Sequence, residues 1–137
     1  MPAETRDLDR VLASYSVQIA YLFGSQARGE AGPMSDADVA VLFEEGVDPQ
    51  ARFHAKVMLT SELPAIFGAK QVDVVDLADA PPALAFRVIK DGKLIRNEDE
   101  NRRVHFESRT MVRYWDTAPM RKQFEHAILS HFSDLKK

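Results

Sequence analysis

The fifteen residues Gly24 to Asp38, GSQARGEAGPMSDAD, constrain this chain more than any other stretch. They lie between two apolar runs, Val17-Gln18-Ile19-Ala20-Tyr21-Leu22-Phe23 and Val39-Ala40-Val41-Leu42-Phe43. Both runs are short, rich in β-branched and aromatic residues and bounded by turn signals, so both read as buried strands. The connection opens with Gly24-Ser25, carries one arginine, Arg28, and closes on two aspartates spaced i, i+2. The chain is thus predicted to run strand, phosphate-sized loop, then a strand that begins with two carboxylates.

Residues i and i+2 of a strand point to the same face. Asp36 and Asp38 are therefore expected to project together, with Val39, Val41 and Phe43 facing the other way. Two adjacent carboxylates repel, and a hard divalent cation such as Mg²⁺, which takes oxygen ligands and keeps waters or substrate phosphates, relieves the repulsion. Gly24 lets a backbone approach a ligand closely because it has no Cβ. Ser25 offers a hydroxyl where a short helix is expected over 25 to 31, and helix N-termini bind anions. Arg28 adds a cation whose fork suits phosphate. An acidic pair in a solvated turn is commonplace, and so is a Gly-Ser dipeptide. The combination, placed between two strands, points to a site where phosphate donors face metal-binding carboxylates.

The rest of the composition bounds the answer. With 137 residues the chain is long enough for one compact domain, and its 45% hydrophobic and 28% charged residues are ordinary for a globular protein. A formal net charge of −3 gives no generic basic surface for nucleic acid. The absence of cysteine excludes disulfides and thiolate–metal sites and fits a reducing compartment. No apolar stretch approaches the length of a membrane span, and MPAETRDLDR lacks the order of a signal peptide, so a cytoplasmic location is expected.

In chain order, residues 4 to about 14 read as a first helix through Leu8, Val11 and Leu12. Strand one covers about 17 to 23 and strand two about 37 to 44, with Ser35 placed to hydrogen-bond the backbone beside the carboxylates. Asp48-Pro49 supplies an N-cap and a first-turn proline for a longer helix, with Phe53, Val57, Leu59 and Leu63 as its expected buried stripe. Pro64 predicts an end near 62 or a kink. Strand three is Gln71 to Leu77, and it holds two aspartates. Asp73 is the more central, so its expected burial calls for a metal or a proton-transfer role; Asp76, on the other face, is the alternative, or caps the following turn. Pro81-Pro82 opens a helix through Lys90, and Lys93-Leu94-Ile95-Arg96 forms a short fourth strand. Residues 1–97 thus form one domain, and residues 98–137 a helical extension that packs on it or on a partner. Tyr21 lies near the Gly-Ser pair, though a strand tyrosine is more often core. The isolated histidines support no transition-metal site.

Gly24-Ser25, ten residues, then Asp36-Ala37-Asp38 resembles the GS-x10-D-x-D pattern of the nucleotidyltransferase superfamily related to DNA polymerase β. GSQARGEAGPMSDADVAV and the helix–DGK–strand unit at 91–93 look like its minimal nucleotidyltransferases, the MNT family, over about residues 10 to 96. The resemblance implies an α/β (α+β) fold with a small mixed β-sheet, flanking helices and C-terminal helices. It implies ATP as substrate over Gly24 and Ser25, with Arg28 on the triphosphate, and Mg²⁺ on Asp36 and Asp38. Superfamily members carry a third acidic residue on the next strand, and Asp73 matches that place better than Asp76. Many MNT proteins are antitoxins of HEPN-domain ribonuclease toxins, and some place AMP on a tyrosine of the toxin. That acceptor is the expectation here. The alternatives are an antitoxin that acts by occlusion alone, and a small-molecule nucleotidyltransferase of the aminoglycoside type. Arg121 and His126 repeat the R-x4-H spacing of HEPN ribonucleases, but that site belongs to a helical bundle and is not expected on this fold.

Overall fold

The computed structural model of the chain describes residues 3–24 and 36–135. The expected helix at 25 to 31, with Ser25 and Arg28, and Ser35 lie outside the described residues. Helix α1 (Ala3–Ser14) leads into strand β1 (Val17–Phe23), and β2 (Ala37–Phe43) follows. Helix α2 (Pro49–Phe67), β3 (Val72–Asp76), α3 (Pro82–Asp91) and β4 (Lys93–Asn97) complete the sheet unit. Two helices close the chain, α4 (Glu100–Asp116) and α5 (Ala118–Leu135).

The four strands stand in the order β3-β2-β1-β4. β1 pairs antiparallel with both β2 and β4, while β2 and β3 run parallel with α2 as their crossover. A parallel pair needs such a long connection, whereas an antiparallel pair does not. The sheet is therefore mixed, with apolar side chains on both faces. On one face Val39, Val41, Phe43, Val72 and Val74 meet Leu8 and Leu12 of α1 and Leu59 and Leu63 of α2. On the other, Ile19, Tyr21, Ala40 and Leu42 meet Ala85 and Val88 of α3.

The long helix departs from expectation in two ways. Its buried residues are Ala55, Leu59 and Leu63, while Phe53 is 67% and Val57 50% exposed. At 100° per residue, 55, 59 and 63 share one face, and 53 and 57 lie about 200° round from 55 and 59. The helix also continues through Pro64 to Phe67 and closes on Gly68 at φ +64°. The fully buried Leu63 before the proline, and Ile66 and Phe67 after it, pack on the same core and hold the turn together. At its start the expected cap is present, with the Asp48 carboxylate accepting from Ala51 N at 2.8 Å.

Helix α4 lies on the second face. Phe106 joins that core, Thr110 is buried, and Tyr114 stacks on Phe86 of α3 at 4.0 Å between ring centroids. Arg102 fastens its first turn to the sheet by donating to the Gln18 side chain and to Phe43 O. Beyond Thr117, α5 carries exposed Met120, Phe124 and Leu129. Arg121 sits 3.7 Å from the Tyr114 ring centroid and donates to Tyr114 O at 2.7 Å, which engages it at the α4–α5 corner. No helix among the described residues is long and apolar enough to cross a membrane.

Candidate active site

The end of β1 and the start of β2 meet at the Gly-rich connection. Gly24 leaves β1 with φ +78°, a left-handed conformation that suits a residue without a Cβ. A Cβ placed there would lie 2.4 Å from Asp38 Oδ2. Gly24 is thus both a turn residue and the space into which the Asp38 carboxylate fits.

Asp36 stands immediately before β2 and Asp38 is its second residue. Ala37 between them is fully buried in the first core, so the two carboxylates lie toward the opposite face, as strand alternation requires. Asp38 pairs with Phe23 across the antiparallel ladder and with Asp73 across the parallel one. In-register neighbours of a sheet point to the same side, so Asp38 and Asp73 stand side by side on the face of Ala40, Leu42 and Val75. Asp36 and Asp73 are exposed and Asp38 is half-buried. Burial first, then Asp73, then Asp36 push the Asp38 carboxyl above its usual range.

The two aspartates of β3 exchange the burial expected of them. Asp73 is exposed, whereas Asp76 is 8% exposed. The burial of Asp76 has a local cause: it takes a 2.8 Å ion pair from Arg52 Nε of α2 and accepts from Ala78 N at 3.0 Å. Its oxygens are committed to holding the crossover helix and capping the turn after β3. Asp73 has no such commitment among the described residues and faces Asp38 instead.

Sequence pattern alone missed the polar network behind the site. Tyr21 belongs to the core, with its phenol pushed well above the usual range by burial and by Glu107 of α4. Glu107 is bridged by Arg103, which also grips Glu100. The i, i+3 and i, i+4 spacing of Glu100, Arg103 and Glu107 signals such a chain, but its effect on the buried Tyr21 is long-range.

The donor set at the site is all carboxylate oxygen. Among the described residues no three His, Asp or Glu side chains are drawn together tightly enough to hold a metal ion by themselves. Hard oxygens, a carboxylate raised by burial and by its like-charged neighbours, and fewer than three convergent protein ligands fit Mg²⁺, which completes its shell with water and substrate phosphates.

Known proteins place this geometry in a family. The family described as "Polymerase beta, Nucleotidyltransferase" matches residues 6–101, which contain all four strands, Gly24 and Asp36, Asp38 and Asp73. The chain is similar to protein adenylyltransferase MntA of Shewanella oneidensis, 38% identical over 77 residues that cover 56% of this chain. It spans about half (52%) of the length of that curated relative. Its fold is similar to a chain in the crystal structure of a toxin–antitoxin with AMP-PNP, at a TM-score of 0.75 and 25% identity, covering 91% of this chain and 98% of that one. It is also similar to a chain in the structure of tri-AMPylated Shewanella oneidensis HEPN toxin in complex with MNT antitoxin, at a TM-score of 0.68 and 25% identity, covering 92% and 96%. With a match over most of its length and the carboxylates in register inside it, the chain belongs to the polymerase beta nucleotidyltransferase family.

Proposed function

We propose that this chain is a Mg²⁺-dependent protein adenylyltransferase and antitoxin, which moves AMP from ATP to a tyrosine of a cognate HEPN ribonuclease toxin and so neutralises it. The observation that carries the reading is the lateral register of Asp38 with Asp73, beside a glycine whose missing Cβ makes room for Asp38. The likeness to an adenylyltransferase and to a chain from a complex with an AMPylated toxin supplies the acceptor class.

In this mechanism the triphosphate lies along the backbone that leaves β1 at Gly24, with Ser25 and Arg28 as its further partners. Asp36 and Asp38 would hold Mg²⁺, which would neutralise the phosphates and stabilise charge on the oxygens of an in-line displacement. Burial first, and then the charges of Asp73 and Asp36, raise the Asp38 carboxyl, and a bound cation would favour its ionised form. Asp73, exposed and next to Asp38, completes the metal site or takes the proton of the tyrosine hydroxyl. The phenolic oxygen then forms a bond to the α-phosphorus, the α–β phosphoanhydride bond breaks, and pyrophosphate leaves with the electron pair. The product is a tyrosyl phosphodiester of AMP.

The test is intact-mass analysis of the HEPN-domain protein encoded next to this chain, incubated with the chain, ATP and Mg²⁺. One or more added AMP units are expected, and none with an Asp36→Ala, Asp38→Ala variant. An unmodified toxin in a stable complex would replace the enzyme by an antitoxin that acts by occlusion.

A further inference from the structure

A cavity of about 240 Å³ opens between α4 and the ends of β2 and β3 that lie away from the carboxylates. Its floor is apolar, made by Leu42, Leu77 and Phe106, and one wall carries His105, Arg109 and Arg113. These three are four residues apart in turn, so they form one column along the helix with a pitch of about 6 Å. Arg109 and Arg113 repel each other at that spacing, and the carboxylate that lines the cavity, Glu45, is paired with Arg102 at 3.7 Å. Arg52, Arg96, Arg102 and Arg103 each meet a carboxylate. Arg109 and Arg113 meet none among the described residues, and both are exposed.

The cavity also has a fixed relation to the carboxylates. Leu42 is four residues beyond Asp38 on β2, and Leu77 four beyond Asp73 at the end of β3, so both lie on the same face of the sheet as the aspartates. At about 3.3 Å per residue the cavity floor lies roughly 13 Å along the strands from the aspartates. Charge divides the chain in the same sense. Residues before Glu100 include ten Lys or Arg against sixteen Asp or Glu, and those from Glu100 onward eight against five. An acidic partner is repelled by the sheet unit and attracted to the C-terminal helices.

We propose that this cavity is the docking site for an acidic amphipathic helix of the acceptor protein. Carboxylates four residues apart on that helix match the His105–Arg109–Arg113 column, and one apolar side chain fills the space over Leu42, Leu77 and Phe106. Docking there sets the acceptor hydroxyl on the face of Asp38 and Asp73 and discriminates among acceptors without touching the nucleotide. The inference rests on the protein-adenylyltransferase reading for its partner.

The experiment is isothermal titration of the full chain against the adjacent HEPN-domain protein at low and high salt, with Arg109→Glu/Arg113→Glu and Arg109→Lys/Arg113→Lys variants. The charge reversal is expected to weaken binding at least about tenfold and the lysine pair to stay within about threefold, with wild-type affinity falling as salt rises. ATP affinity, which also reports an intact fold, is expected to be unchanged in both. AMP transfer by the charge-reversed chain is expected to return at saturating acceptor, a change in KM rather than kcat. Charge reversal that leaves binding within about twofold of wild type overturns the docking site. Wild-type binding without any AMP transfer overturns the adenylyltransferase reading but not the docking site, and an absence of wild-type binding overturns both.

Discussion

Gly24 and Asp38 share one small space: the Cβ that Gly24 lacks would lie 2.4 Å from Asp38 Oδ2. The end of β1 and the start of β2 therefore approach each other closely where Gly24 and the carboxylates stand. The glycine also holds φ +78°, where a side chain costs about 1–2 kcal/mol.

Gly24→Ala is therefore expected to destabilise the chain by about 1–2 kcal/mol and to displace the Asp38 carboxylate. A displacement of about 1 Å lowers turnover about a hundredfold. Gly24→Val is expected to abolish ATP binding by steric exclusion. Calorimetric titration with ATP checks both, and undiminished affinity in the valine variant would remove Gly24 from the nucleotide site.

Asp38→Asn separates stability from function. The folded state raises the Asp38 carboxyl by burial and by the charges of Asp73 and Asp36, so the ionised form is disfavoured there. A neutral isostere removes that cost. In the absence of Mg²⁺ the variant is expected to melt about 1–3 °C above wild type. With Mg²⁺ and ATP, wild type is expected to gain stability by mass action and the variant to gain little and to transfer no AMP. Thermal melts with and without Mg²⁺ and ATP decide it, and a variant that melts below wild type would show that the crowding is already relieved.

Much of this fold is legible in local pattern. The two apolar runs around GSQARGEAGPMSDAD, the cap at Asp48-Pro49 and the period-two placement of Asp36 and Asp38 all follow from nearest-neighbour chemistry. What escapes is set by partners distant in sequence. Asp73 looks like the buried carboxylate because it is central in its strand, but Asp76 is the buried one because Arg52, twenty-four residues earlier, folds against it. Phe53 and Val57 look like core because they are large, yet the smaller Ala55 faces the sheet. Pro64 looks like a stop or a kink, and the packing of Leu63 and Ile66 carries the helix past it to Phe67.

The two aspartates of β3 are expected to fail differently. Asp76→Asn breaks the bond from a mostly buried Arg52 and leaves a cation short of its partner, a loss of about 2 kcal/mol. AMP transfer below the melting transition should persist. Asp73→Asn is expected to leave stability near wild type and to remove transfer. Chemical denaturation paired with a transfer assay distinguishes them, and an inactive but stable Asp76→Asn variant would return the third carboxylate to Asp76.

Glu100 offers a pH-dependent test of how the C-terminal helices are held. Its carboxylate takes hydrogen bonds from Arg103 and from Asn97 of β4, and these draw its pKa down to about 2 from the usual 4.5. A carboxyl depressed on folding contributes stability that is fully present above 4.5 and is lost as pH falls toward 2. Glu100→Gln is therefore expected to melt below wild type at neutral pH, with the gap closing across that acidic window and shrinking with added salt, because the pair is exposed. Circular dichroism melts of both proteins at several pH values follow the gap directly. A difference that stays constant from neutral pH to pH 2 would mean that the Arg103 and Asn97 bonds to Glu100 do not form in solution.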